Sequence, residues 1–313
     1  MKKLMVMLLV TVLVLGCFCG CSGGTKPPEI LVTIFPLYDF ARVILGDNPA
    51  GLELGLLEKN GTDLHNFQPS AEDIALIGAA KLFAYIGGES DEWVEDALTS
   101  SPVAGRVCRM MDAVKTLGEE TVEGMQPAEE EEEEEAPDEH IWLSLTNAQQ
   151  MVQQLCEEIC SIDSANETTY RANAAAYVDK LEKLAQEYQD TVKTASFDTI
   201  LVADRFPFRY LASEYGLNYY AAFSGCAASL DVSFETVAFL SEKLKELGLP
   251  AVIIIDGSDG SVAQTVVDSS GMDVKILTLH SCQCVSKEEL DSGIGYYEIM
   301  ISNLAILKEA LNE

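Results

Sequence analysis

Three histidines, His65, His140 and His280, are all that the 313-residue chain contains. Neutral imidazole is a good ligand for zinc and for other borderline divalent metals, so three such rings are enough to begin a metal site. His65 sits in GTDLHNFQPS, ahead of a helix start. His140 sits in DEHIWL, between an acidic stretch and a helix. His280 ends the apolar run VKILTLH. Each position is the carboxyl end of a strand or a loop entering a helix, which is where open α/β sheets bind ligands. The bland alternative is three unrelated rings, each in a local hydrogen bond. Cys282 and Cys284 follow His280 closely; a thiolate there would favour zinc, although packing or a disulfide is the first reading for both.

The elements that position these rings follow from periodicity. EILVTIFP, GLELGLLEKNG, KLFAYIGG and RVCRMMDAV are short apolar runs that predict strands, separated by helical segments PLYDFARVILGD and DEWVEDAL. Ser70, with Asp73 three residues on, predicts a capping box that opens another helix bearing Ile74, Ile77 and Ala80 on one face. From Glu167 to about Ala195 the text is helical without Gly or Pro, roughly 28 residues and so about 40 Å long. A second series follows, with strands in DTILVAD, NYYAAF, PAVIIID and VKILTLH, and the closing helix GIGYYEIMISNLAILKEAL. Strand–helix alternation of this kind predicts an α/β fold: two Rossmann-like lobes, each a parallel sheet flanked by helices, joined by one long rigid helix. The expected division is a signal and tether over 1–28, an N-terminal lobe over 29–165, a linking helix over 166–196 and a C-terminal lobe over 197–313. Within the first lobe, 118–139 is expected to be a mobile surface loop carrying seven consecutive glutamates, Glu129 to Glu135.

Fifty-one acidic residues against twenty basic ones give a formal charge of −31, which argues against nucleic-acid binding. The N-terminus, MKKLMVMLLVTVLVLGCFCGCSGG, has a basic start and an apolar core too short for an ordinary spanning helix. It reads as a secretory signal, and the Gly-Cys at its end resembles a bacterial lipobox. Cys17 is the first choice for lipidation and Cys21 the second; a plain cleaved signal or an uncleaved anchor is the alternative. Cys156 and Cys160 share a helix face and read as buried thiols. Outside the cytoplasm a disulfide from Cys226 to Cys282 or Cys284 is permitted.

Several stretches together carry a family resemblance: IFPLYDFARVILGD, then GTDLHNFQPSAEDIALIGAAKLFAYIGGESDEWVEDAL, then an acidic loop followed by DEHIWLSLTNAQQM. They resemble the metal-specific (zinc/manganese) solute-binding lipoproteins of ABC transporters, the cluster A-I family, over nearly the whole mature chain. The resemblance implies that His65 and His140 bind the metal. In the second lobe this sequence departs from the pattern. Where the family has a histidine or glutamate, five residues before Tyr210, stands Arg205, whose guanidinium has no lone pair to give. Asp204 is the nearest replacement. The family's late aspartate position holds His280, and Asp256 is a weaker carboxylate candidate. The resemblance thus implies a site of His65, His140, His280 and Asp204 or water. Three imidazoles favour Zn2+, with Mn2+ as the alternative cargo. It further implies an extracytoplasmic, lipid-anchored, monomeric receptor at the cell membrane that passes the ion to an ABC permease. Asp138 and Glu139 are expected to orient an imidazole. Two other readings are a secreted zinc enzyme, for which no H-E-x-x-H or nucleophile elbow is present, and a siderophore- or corrinoid-binding protein of the same build.

Overall fold

The structure is a computed structural model that describes residues 27–59, 61–126, 136–227 and 231–312. Cys17 and Cys21 of the signal, and the glutamate run, lie outside these residues.

Strands come from the short apolar runs. In chain order the first lobe has β1 (Ile30–Val32), α1 (Phe35–Leu45), β2 (Leu54–Leu56), α2 (Ala71–Ala79), β3 (Leu82–Tyr85), α3 (Trp93–Ser100), β4 (Arg106–Arg109) and α4 (Leu145–Ile162). The long helix α5 (Glu167–Thr194) follows. The second lobe has β5 (Thr199–Arg205), α6 (Arg209–Tyr215), β6 (Asn218–Phe223), α7 (Phe234–Leu247), β7 (Ala251–Ile255), α8 (Ser261–Ser270), β8 (Lys275–Leu279), α9 (Lys287–Ser292) and α10 (Tyr296–Ala310). The sheets are parallel, with strand orders β2-β1-β3-β4 and β6-β5-β7-β8. Every residue of β1, β3 and β5 is buried, as expected for parallel strands covered on both faces.

Local chemistry sets the boundaries. The capping box at Ser70 is present, with Asp73 returning the hydrogen bond to the Ser70 amide. β5 carries its strand through Arg205, and Pro207 then delays α6 until Arg209. The short helix α9, itself opened by a capping box from Ser286 to Glu289, had no clear signal in the sequence. The segment 118–139 is pinned at its ends: Gly118 pairs with Pro137 and the Glu119 amide donates to the Ala136 carbonyl at 2.9 Å. Asp138 and Glu139 are each 1% exposed, so this end belongs to the core and not to a surface loop.

The long helix α5 buries Tyr170, Ala174, Tyr177, Leu181, Leu184, Tyr188 and Thr191, a 4-3-4-3 spacing that makes one continuous stripe. That stripe packs on α1 and α4 of the first lobe and on α6 and α10 of the second. Tyr177 donates to Asp39 and Tyr188 donates to the Met300 carbonyl, one bond toward each lobe. Replacing fully buried Leu181 by alanine is expected to cost about 2–5 kcal/mol in chemical denaturation, while the exposed neighbour Glu182→Ala stays within about 0.5 kcal/mol.

Asp91 closes the turn after β3: its Oδ2 accepts from the amides of Ile86 and Gly87, both at 2.9 Å. Burial pushes this carboxyl up from its ordinary 3.8 to about 6; the Gly87 amide opposes the shift and the Glu139 charge adds to it. Between about pH 4 and 6 the folded chain therefore holds a proton that the unfolded chain has released, so stability falls as pH rises through this window. Asp91→Asn keeps a carbonyl acceptor for both amides and removes the titration. On chelator-treated protein it should flatten stability between pH 4 and 6 and gain on the order of 3 kcal/mol at pH 7, read from urea midpoints.

Candidate metal centre

His65 lies in a single 3-10 turn, Leu64–Asn66, that the Asp63 side chain caps by accepting the His65 amide at 3.0 Å. His140 opens a second such turn, Ile141–Leu143, immediately before α4. Asp138 holds it twice: Oδ1 accepts the His140 amide at 2.8 Å and lies 3.0 Å from Nδ1. The two turns come from residues 75 apart in the chain, yet the ring centroids are 5.4 Å apart.

The same arrangement recurs on His65. Its Nδ1 is 3.1 Å from Glu139 Oε1 and 2.9 Å from Ser90 Oγ. Ser90 in turn donates through its hydroxyl to Oε1 at 2.5 Å and through its amide to Oε2 at 2.9 Å, which fixes the Glu139 carboxylate. A carboxylate facing Nδ1 places the ring proton there and leaves the lone pair on Nε2. In both histidines Nε2 is buried and has no hydrogen-bond partner. Two lone pairs held in a dry pocket with nothing to accept are what a metal ion requires.

The surrounding charges act on the same groups. Burial alone would lower the His140 imidazole, but the Asp138 carboxylate beside it outweighs burial and the net shift is upward. Burial raises Glu139, yet its bond to His65 and the neighbouring ring of His140 hold it at about 2, so it stays ionised. Glu58 is also buried close by, and burial with Asp91, Glu139 and Asp63 around it pushes its carboxyl well up.

Among the described residues, one group offers ligand atoms within 4.8 Å of one another: His65, Glu139 and His140. Its two histidines were anticipated as ligands, and Glu139 as an orienter, the role its contacts give it. The structure does not bring His280 and Asp204 into this group. His280 Nδ1 accepts the Cys282 amide at 2.9 Å, and its Nε2 lies 3.7 Å from Glu289 Oε1. Asp204 Oδ1 accepts the amide of its neighbour Arg205. Asp256 shapes the loop after β8 by accepting the amides of Ser281 and Cys284. The six described cysteines, Cys226, Cys282 and Cys284 among them, are free thiols.

Two residues find partners that the sequence did not name. Ser90 locks Glu139 across 49 residues. Arg205 pairs with Asp63, the residue that caps the His65 turn, across 142 residues. The guanidinium at the expected ligand position thus braces a histidine of the other lobe.

Known proteins share this build. Residues 30–310 match the family described as zinc-uptake complex component A, periplasmic (ZnuA). The high-affinity zinc uptake system protein ZnuA of Bacillus subtilis is 29% identical over 299 residues, covering 93% of this chain and 89% of that protein. The zinc-binding lipoprotein AdcA of Streptococcus pneumoniae is 28% identical over 288 residues; that match covers 91% of this chain but 56% of AdcA, so the chain spans little more than half of that relative. Among solved structures, the Zn(II)-bound ZnuA-like domain of the S. pneumoniae AdcA superposes with a TM-score of 0.74 at 25% identity, covering 92% of this chain and all of that domain. The metal-dependent lipoprotein YcdH of B. subtilis gives 0.75 at 28% identity, covering 91% of this chain and 99% of that one. With a match that runs from the first strand to the last helix, the chain belongs to the ZnuA family of periplasmic zinc-uptake components.

Proposed function

We propose that this protein is an extracytoplasmic zinc receptor that delivers the ion to an ABC permease. The observation that carries the reading is the pair of buried Nε2 atoms on His65 and His140, each unpartnered while Nδ1 is held by a carboxylate. Imidazole donors favour zinc over manganese, which prefers an oxygen-rich shell. The ZnuA and AdcA names of its relatives support the same cargo.

His65 and His140 are the proposed ligands, with Asp138 and Glu139 setting ring orientation. His280 and Asp204 are left out of the donor set because neither belongs to the group whose ligand atoms lie within 4.8 Å of one another. The protein acts by binding and not by catalysis: both carboxylates against the rings are taken up, Asp138 by His140 and Glu139 by Ser90 and His65, and neither is positioned as a free base for a metal-bound water. Lipidation at Cys17, anchoring on the outer face of the cell membrane, action as a monomer, and the division at 29–165, 166–196 and 197–313 complete the proposal.

The test is a zinc titration of purified, chelator-stripped protein with a competing chelator. One equivalent should bind, and His65→Ala and His140→Ala should each abolish tight binding while circular dichroism stays unchanged. Retention of wild-type affinity by both variants would overturn the reading. Glu139→Gln separates orientation from ligation: it should keep one equivalent and lose about 10–100-fold in affinity.

A further inference from the structure

The two histidines both come from the first lobe, and a tetrahedral zinc site needs more donors than two. The second lobe's expected contributions are absent from the group. Arg205 has no lone pair and faces Asp63, and Asp204 and His280 are engaged locally. What the second lobe does present to the rings is the loop that leaves β6, Ser224–Cys226.

This loop is seated directly on His140. A Cβ added to Gly225 would lie 3.1 Å from Cε1 and 3.2 Å from Nδ1 of that ring, and 3.0 Å from the Phe206 carbonyl oxygen. The backbone therefore approaches the imidazole as closely as it can without a side chain in between. The next residue is Cys226. Its amide donates to Glu119 Oε1 at 2.9 Å, which ties the loop to the first lobe, and its Sγ lies 3.9 Å from Glu139 Oε1. Glu139 Oε1 is also the atom that holds His65. So the one sulfur of this loop adjoins the carboxylate that joins the two ligand turns, with two buried, unpartnered imidazole nitrogens in the same pocket.

We propose that Cys226 is the second lobe's ligand, its sulfur joining His65 and His140 on the zinc ion. The inference rests on the zinc-receptor reading above. The thiol lies outside the group of His65, Glu139 and His140, whose ligand atoms fall within 4.8 Å of one another. Ligation requires a change of χ1 rotamer at this loop residue, which moves Sγ about its Cα–Cβ bond. As the Zn–S bond forms, the thiol proton leaves to solvent, so one proton is exchanged for one coordinate bond. Thiolate is a soft donor, and its use in place of a carboxylate or imidazole selects zinc against manganese and calcium. It also makes the ion itself the link between lobes.

The experiment replaces zinc by cobalt(II) or cadmium in the chelator-stripped full-length protein and follows sulfur-to-metal charge-transfer absorption in the ultraviolet. The wild type should develop this band to saturation at one equivalent. Cys226→Ser should lose it and bind zinc about 100-fold or more weakly, since a direct ligand is worth at least as much as an orienting partner; Cys284→Ser should keep both. Wild-type protein offers a second readout that does not depend on a variant folding: one equivalent of zinc should protect Cys226 from iodoacetamide, with the modified peptide identified by mass spectrometry. One equivalent of zinc bound without the band and without protection overturns the sulfur ligand and leaves the receptor reading standing. Wild-type protein that binds no zinc brings down the receptor reading and this inference with it.

Discussion

The site depends on a pair of hydrogen bonds in which a buried carboxylate takes the Nδ1 proton of a buried imidazole. Asp138 does this for His140 and Glu139 for His65. Each carboxylate is almost wholly out of water, which is costly unless every lone pair finds a donor. Asp138 therefore also takes the His140 amide, and Glu139 takes both donors of Ser90. These bonds define the tautomers and so leave both Nε2 atoms as acceptors with nothing to accept. A buried acceptor without a partner costs about 1–3 kcal/mol. Part of the affinity for an incoming cation is thus relief of a penalty already present in the folded protein.

The turn that bears His140 is gripped by the second lobe before any ion arrives. Tyr210 donates to the Asp138 carbonyl and accepts the Leu117 amide. The Trp142 indole donates to the Ser281 carbonyl, and Tyr296 donates back to the Trp142 carbonyl. These groups are buried, so parting the lobes would strand several of them at once. Together with α5, which packs its stripe on both lobes, they make wide hinge opening expensive.

Much of the fold was legible because it is local. Apolar runs without alternation mark strands covered on both faces, the Gly- and Pro-free stretch from Glu167 marks α5, and Ser70 with Asp73 marks a helix start. His65 and His140 were legible as a pair because so few imidazoles exist and because flanking motifs place them at element ends. What could not be read were the partners chosen through space. His280 ends its strand as expected, but its Nδ1 accepts the Cys282 amide, and Glu289, on a helix that the sequence hardly announces, faces its Nε2 at 3.7 Å. Ser90 carries no mark of its role, since the bond it makes spans 49 residues. Spacing reports which element a side chain rides on; it does not report which rotamer or neighbour wins.

Arg205 shows why the second lobe needed a different solution. A fixed positive charge beside a divalent cation is repulsive, and it is most so where water is scarce. The Asp63 carboxylate neutralises it, and the same carboxylate caps the turn that carries His65, so the pair ties ring placement in one lobe to the end of β5 in the other. Of the acidic groups around the pocket, Glu139 is the one held ionised, while burial pushes Glu58 and Asp91 toward their neutral forms. The strand end that supplies a ligand in the family pattern has in this chain become a brace. A brace fixes geometry but donates no electrons; the loop after β6 instead brings the Cys226 sulfur to 3.9 Å from Glu139 Oε1.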